Sequence, residues 1–435
     1  MFEIRERMRQ AERALLVSLC LPGDSPGEKE AMLRELAALV SNLGIGVADV
    51  LLTRARDMQA KYLCGSGKAL EVAGHAARLS ADCVIFDNML TPSQQREWEA
   101  LTHVTVIDRE EVILDIFARR ARTREAVMQV DLARMQYALP RMAGMWKHLD
   151  RQRGGSGGGR GGGAAARGEG EKQIEVDRRL ARGRIETIRR DLEEVRRRRR
   201  TQRKERTRRG IPSAAIVGYT NAGKSSLLRW IAGADVLAQN ILFATLDTTT
   251  RKIELPDGRP LLLTDTVGFI RSLPHRLVEA FKSTLEETAL ADFLIHVVDA
   301  SDPEALRHYE TTLEVLGELG AADKPMFVVW NKTDLLPPDE SGAALARLSA
   351  AVACPSIALS ISEKRGGESF FRACAEMLAA GVETAAYRIP LAESGLISAM
   401  HRGGSVSSIE YEGNDALVTA VLPREFAAKI ARYRV

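Results

Sequence analysis

The residues whose types and spacing point most directly to chemistry lie between 213 and 362. Gly218-Tyr219-Thr220-Asn221-Ala222-Gly223-Lys224-Ser225 fits G-x-x-x-x-G-K-[ST], follows the apolar run Ser213–Val217 and precedes a stretch, 226–232, that reads as a helix. Strand, loop and helix in that order suit an anion. Two glycines let the backbone curl so that its N–H groups face phosphate oxygens, the helix dipole adds positive charge, and Lys224 reaches the outer phosphates. Ser225 offers a hydroxyl to Mg²⁺. The motif predicts phosphate binding and leaves the base open.

Asn331-Lys332-Thr333-Asp334 chooses the base, directly after the apolar strand 326–330. The Asp334 carboxylate can accept hydrogen bonds from the N1–H and 2-amino groups of guanine, which adenine does not offer. Asn331 is expected at the opposite edge of the base and the Lys332 stem along the ring. GTP and GDP are therefore the expected substrate and product. Asp265-Thr266-Val267-Gly268 supplies D-x-x-G, with Asp265 holding Mg²⁺ through water and the Gly268 N–H sensing the γ-phosphate. The run 243–250, Phe243-Ala244-Thr245-Leu246-Asp247 followed by three threonines, occupies the place of a switch segment, and several threonines there compete for the metal. Ser360-Ile361-Ser362 stands where a loop supporting the base belongs.

Lys224, Asn221, Thr245 and Gly268 are the expected catalytic set. Phe269 follows D-x-x-G where many GTPases carry a water-orienting Gln, and an apolar ring cannot position water. Slow intrinsic turnover follows, on the order of 10⁻⁴ to 10⁻² per second. A partner or a monovalent cation such as K⁺ would complete the site, with Asn221 as the candidate cation ligand.

Elements must position these residues. Apolar runs at 14–19, 47–52, 83–86 and 104–107 alternate with amphipathic stretches at 28–44 and 67–80, predicting a β/α domain with a largely parallel sheet over 1–118. Met128, Leu132, Met135, Leu139 and Met142 repeat at helical spacing, as do Ala181, Ile185, Ile188, Leu192 and Val195. Two such seams predict an antiparallel helical hairpin over 119–209, with Pro140 kinking or shortening its first arm. A G domain over 210–382 and a tail over 383–435 reading strand, helix, strand, strand, helix complete the chain. The fold class expected is multidomain α/β. A P-loop GTPase domain, with a mostly parallel sheet and helices on both faces, follows a β/α domain and a long helical hairpin, and a small α+β tail comes last.

The connector 151–170 holds ten glycines and no branched apolar residue, so it cannot pack as a core element. Its arginines and its place at the hairpin tip suit entry into a narrow, phosphate-lined cavity. With 435 residues, 45% of them hydrophobic and 28% charged, the chain is neither fibrous nor disordered. Its net charge is only +4, yet 151–209 carries 21 Lys+Arg against 9 Asp+Glu, leaving about −8 for the remainder. The basic run from Arg196 reads either as a solvated helix face or as a surface for nucleic-acid phosphates, and the thinning of acids beyond Glu194 favours the second. Five scattered cysteines read as reduced thiols, and seven histidines show no ligand spacing. No membrane span or signal peptide is read, which allows at most peripheral membrane association. Gly65-Ser66-Gly67-Lys68 lacks the upstream glycine of a second phosphate loop and reads as a turn before a helix.

Together, G-Y-T-N-A-G-K-S, F-A-T-L-D-T-T-T-R, D-T-V-G-F-I-R and N-K-T-D resemble the HflX family of translational GTPases, with a G domain of the Era, Obg and TrmE kind. Gly65–Lys68 resembles the glycine–lysine signature of that family's N-terminal domain, and the glycine-rich loop ending R-G-E-G-E-K-Q-I-E-V-D-R-R resembles its hairpin. The resemblance implies a cytoplasmic GTPase that binds the large ribosomal subunit, its 23S-type rRNA and proteins, with the basic arm and glycine-rich loop against rRNA, is stimulated by it, and helps dissociate or rescue stalled ribosomes; a monomer is expected. It also implies Thr245 as the switch Mg²⁺ ligand and nucleotide contacts over Phe243–Asp247. The glycine content of the connector and S-I-S in place of S-A-x depart from the family pattern. A tRNA-modification GTPase is disfavoured because the G domain follows the helical arm and no cysteine lies near the C-terminus. An RNA-remodelling or chaperone protein driven by ATP through its N-terminal half is disfavoured because 1–150 shows no second nucleotide motif.

Overall fold

The computed structural model describes residues 11–141, 165–208, 211–233, 243, 246–271, 277, 281, 287–380 and 382–435. Most of the glycine-rich connector, Met142 and the switch positions Ala244 and Thr245 lie outside the described residues, as do the side chains of the basic run beyond Arg198. The described residues fall into two compact units: those within Met1–Glu194, Ile241–Leu246 and Arg271–Lys282, and those within Val195–Asn240, Asp247–Ile270 and Ser283–Val435.

The first unit alternates β1 (Arg13–Cys20), α1 (Pro26–Asn42), β2 (Gly46–Arg54), α2 (Ser66–Arg78), β3 (Cys83–Phe86), α3 (Pro92–Thr102), β4 (Thr105–Asp108) and α4 (Arg109–Arg120). The sheet order is β2-β1-β3-β4, every pair parallel. The central runs β1 and β3 are buried almost throughout, as strands covered on both faces must be. Helix starts follow local chemistry. Thr91 and Gln94 form a reciprocal capping box at α3, and the Asp108 carboxylate accepts from the Glu111 N–H at 3.1 Å at α4. Gly65 is the N-cap of α2, so the Gly-Ser-Gly-Lys stretch is a helix start.

α5 (Arg124–Ala138) begins at a Thr123 cap and ends two residues before Pro140, whose missing N–H and ring forbid continuation. α6 (Ala165–Arg208) is the long second helix. The two predicted seams meet: Leu132 packs with Ile185, Ile188 and Leu192, and Met128, Met135 and Leu139 close the cluster.

In the second unit β5 (Ser213–Val217), α7 (Lys224–Ile231), β6 (Thr249–Glu254), β7 (Pro260–Asp265), β8 (Phe293–Asp299), α8 (Ala305–Glu318), β9 (Met326–Asn331), α9 (Ser341–Ala350), β10 (Ser356–Ala358) and α10 (Gly367–Ala380) build a six-stranded sheet. Its order is β10-β9-β8-β5-β7-β6, parallel except for β6, which runs antiparallel to β7. β6 shortens the expected switch loop, because Thr249 and Thr250 already belong to the sheet. The tail is a three-stranded antiparallel sheet of β11 (Val382–Pro390), β12 (Ser405–Glu412) and β13 (Asp415–Pro423), with α11 (Ser394–Gly403) and α12 (Arg424–Lys429). Ile430 is buried in its core and Phe426 and Tyr433 pack against it. Gly413 takes a φ of +60° in the two-residue turn between β12 and β13. Among the described residues no helix is long and apolar enough to cross a membrane.

His296, fully buried in β8, stacks on Tyr309 at 4.9 Å, and neither ring nitrogen has a hydrogen-bond partner among the described residues. Burial, reinforced by the Lys224 charge, pushes its pKa down to about 3. Between the ordinary histidine value and that point, the unfolded chain binds a proton that the folded chain refuses, so stability falls as pH falls through this window. His296→Phe is expected to remove a penalty on the order of 2 kcal/mol at pH 5 and almost none at pH 7.5. Denaturant midpoints of both proteins at the two pH values measure it; equal acid losses would refute it.

Candidate nucleotide-binding site

The phosphate loop leaves β5 by a turn that only glycine allows. Gly218 has a φ of +145°, and a Cβ there would collide with the Val297 carbonyl oxygen on the neighbouring strand. Asn221 follows with a φ of +61°, a left-handed conformation that Asn tolerates better than most, and its side chain is exposed. Gly223, at φ +103°, is the N-cap of α7, and its missing Cβ leaves room for the Asn331 amide.

Backbone bonds hold this loop to the D-x-x-G segment. The Thr220 N–H donates to the Phe269 carbonyl at 2.8 Å, and the Phe269 N–H to the Gly218 carbonyl at 3.2 Å. Gly268 lies so close that a Cβ would sit 3.0 Å from Lys224 Nζ and from Thr220 Cα. Tyr219 is buried, its ring stacked on His308 with centroids 3.9 Å apart.

Lys224 is only 6% exposed and donates to the Tyr219 carbonyl at 2.6 Å. Burial lowers its pKa to about 8, and Asp265 opposes that shift. Asp265 is itself buried at the end of β7. Ser225, half-buried in the first turn of α7, and Asp265 are hard oxygen donors, the set that suits Mg²⁺ when phosphates and waters complete the shell. Thr266 has another occupation: fully buried, its hydroxyl donates to the Ile216 carbonyl at 2.7 Å, so its side chain is structural. Val267 and the Phe269 ring are buried too.

The switch segment is more apolar in use than in expectation. Phe243 has its ring edge-on to Phe117 of α4 at 4.7 Å, Phe281 meets the same ring at 4.8 Å, and Leu246 is buried. A phenyl ring gains more from such a cluster than from charged oxygens. Thr250 is committed to Thr264, hydroxyl to hydroxyl at 3.0 Å, which narrows the competition for the metal. Asp247 is half-buried.

At the base end, Asn331 is buried and faces inward. Its Nδ2 donates to the Ala222 carbonyl at 2.8 Å, and its Oδ1 accepts from the Ile361 N–H at 3.4 Å. Both partners lie in neighbouring loops of the protein, the phosphate loop and the base-supporting loop. Thr333 donates through its hydroxyl to the Leu359 carbonyl at 2.9 Å, tying the motif to the end of β10. Asp334 accepts from the Ser360 hydroxyl at 2.7 Å and the Ser362 hydroxyl at 2.8 Å. Burial works against its charge, but these bonds outweigh it and hold the carboxyl below its usual range. Ile361 packs against the core.

Sequence reasoning missed Asp299. It ends β8 opposite Asn331, accepts from the Ser301 N–H at 3.0 Å and from the Ser301 hydroxyl at 2.6 Å, and pairs with Lys332 Nζ at 2.7 Å. An acid closing an apolar strand beside a small hydroxyl residue was the available signal.

Residues 30–118 match the family described as GTP-binding GTPase N-terminal, 120–206 the GTP-binding GTPase middle region, and 213–332 the 50S ribosome-binding GTPase family. A protein of Akkermansia muciniphila named GTPase HflX is 64% identical over 433 residues, covering 100% of this chain and 99% of that one. GTPase HflX of Escherichia coli is 43% identical over 331 residues, 76% of this chain and 75% of its own. The crystal structure of a GTP-binding protein from Sulfolobus solfataricus with GDP aligns over 84% of this chain and 98% of its own, at 23% identity and a TM-score of 0.42.

If Asp299 holds the Lys332 stem where a guanine ring would lie, Asp299→Ala should weaken GDP and GTP equally, by about fivefold, and leave the turnover rate at saturation unchanged. Calorimetric titration and steady-state kinetics measure both; unaltered affinities would refute it.

Proposed function

The chain belongs to the HflX family of GTPases and hydrolyses GTP, and we propose that it does so on the large ribosomal subunit, helping to dissociate or rescue stalled ribosomes. The observation that carries this reading is the match of 213–332 to the 50S ribosome-binding GTPase family. The +12 balance of 151–209 supports it, since a basic arm suits rRNA phosphates. We assign four parts: an N-terminal β/α domain over 1–118, a helical arm over 119–209, the G domain over 210–382 and a tail over 383–435.

In the proposed cycle the loop N–H groups and Lys224 hold the phosphates, Asp334 selects guanine, and Ser225, Thr245 and Asp265 would hold Mg²⁺. The bound ion supplies charge neutralisation along the phosphates. The Gly268 N–H meets the γ-phosphate, so the switch segments order with GTP and relax after hydrolysis. Phe269 supplies no water-orienting group. The subunit, or a K⁺ ion at Asn221, completes the site.

GTP turnover should rise at least tenfold with purified large subunits, and the protein should sediment with them. If six to ten phosphates are contacted, binding should weaken about 10³- to 10⁵-fold between 50 and 200 mM salt. No stimulation and no sedimentation would overturn the reading, and a flat salt response would remove the rRNA contact. The cation hypothesis has its own test: turnover should be faster in K⁺ than in Na⁺, and the difference should vanish in Asn221→Ala. Equal rates would exclude it.

A further inference from the structure

The base-supporting loop sets two hydroxyls beside the Asp334 carboxylate, one on each oxygen. Each serine has a single hydroxyl proton. Three oxygen pairs lie within hydrogen-bond distance: Ser360 Oγ to Asp334 Oδ1 at 2.7 Å, Ser362 Oγ to Asp334 Oδ2 at 2.8 Å, and Ser360 Oγ to Ser362 Oγ at 3.1 Å. Two protons cannot serve three pairs. The shorter, charge-assisted pairs to the carboxylate take them, which leaves Ser360 Oγ to accept from the Glu363 N–H at 3.3 Å.

The consequence is rotational. The last torsion of an aspartate is broad and roughly two-fold, so a carboxylate held by one oxygen can still turn its plane. Guanine offers N1–H and 2-amino donors side by side, and a bidentate match needs both carboxylate oxygens in the plane of the ring. One donor on each oxygen stops the turning and leaves the outward lone pairs for the base. Ser362 can do this because its loop is closed behind it. Ser360 and Arg365 exchange backbone bonds at 3.2 and 2.8 Å, and Ile361 is anchored through Asn331. Ser362 is exposed, so its hydroxyl can be removed without emptying a packed core.

We propose that Ser362 is a specificity-determining residue for guanine, acting as a positioning group that fixes the plane of the Asp334 carboxylate together with Ser360. It rests on guanine recognition by Asp334 and is independent of the ribosomal partner. Inosine diphosphate tests it, because hypoxanthine keeps N1–H and lacks the 2-amino group.

Titration calorimetry on the full chain compares GDP, inosine diphosphate and ADP for the wild type, Ser362→Ala and Ser362→Thr. Ser362→Ala should bind GDP about tenfold and inosine diphosphate about threefold more weakly, so the preference between them shrinks about threefold. Ser362→Thr, which keeps the hydroxyl, should restore both within about twofold. Unchanged affinities in Ser362→Ala, or equal losses for the two nucleotides, would overturn the proposal, since a merely structural role weakens both alike. A wild type that binds ADP as well as GDP would overturn the guanine reading itself, and this inference with it.

Discussion

One buried hydrogen bond joins the two ends of the site: the Asn331 amide gives its proton to the Ala222 carbonyl at 2.8 Å. That contact exists only because Gly223 has no Cβ, and Gly218 lacks one for the matching reason at Val297. Pairing the chain so closely across β5, β8 and β9 brings the phosphate loop and the base motif to the same end of the sheet. Ligands of parallel α/β sheets are expected at the carboxyl ends of the strands, and the phosphate loop, D-x-x-G, the base motif and the base-supporting loop follow β5, β7, β9 and β10 at those ends. An apolar side chain at 331 would leave the Ala222 carbonyl without its buried donor and loosen both loops together.

Electrostatics explains why such a site waits for an anion. Lys224 and Asp265 are both buried, and His296, buried in β8, is kept neutral. A lysine whose pKa has been lowered to about 8 by burial stands to regain stabilisation when phosphate arrives beside it. The loop N–H groups and the α7 dipole add to that without introducing further buried charge. The base end works in the opposite sense, with an acid kept ionised by hydroxyl donors so that it can only accept.

Much of this was legible in the chain. Motifs at strand ends named the phosphate loop, D-x-x-G and the base motif, because those loops need specific glycines, a lysine and acids at set spacings. The hairpin seams followed from helical periodicity, and Leu132, Ile185, Ile188 and Leu192 do pack together. What escaped were roles decided by partners distant in sequence. Thr266 sits inside the D-x-x-G motif, yet its hydroxyl is taken by Ile216, 50 residues earlier. Phe243 sits in the switch segment, yet its ring belongs to a cluster with Phe117 and Phe281. β6 was hidden because Thr249 and Thr250 read equally well as switch threonines.

Sequence alone determined the ligand class, since the residue types that bind phosphate and read guanine have few substitutes and their order along the chain is diagnostic. It also determined where most strands and helices run, β6 excepted, because burial periodicity is local. Tertiary structure alone decided how each polar group is employed: Asn331 joins loops, Asp299 holds Lys332, and Ser362 shares Asp334 with Ser360. A hydroxyl or amide has several possible partners of similar strength, and only the fold settles which of them lies within 3 Å.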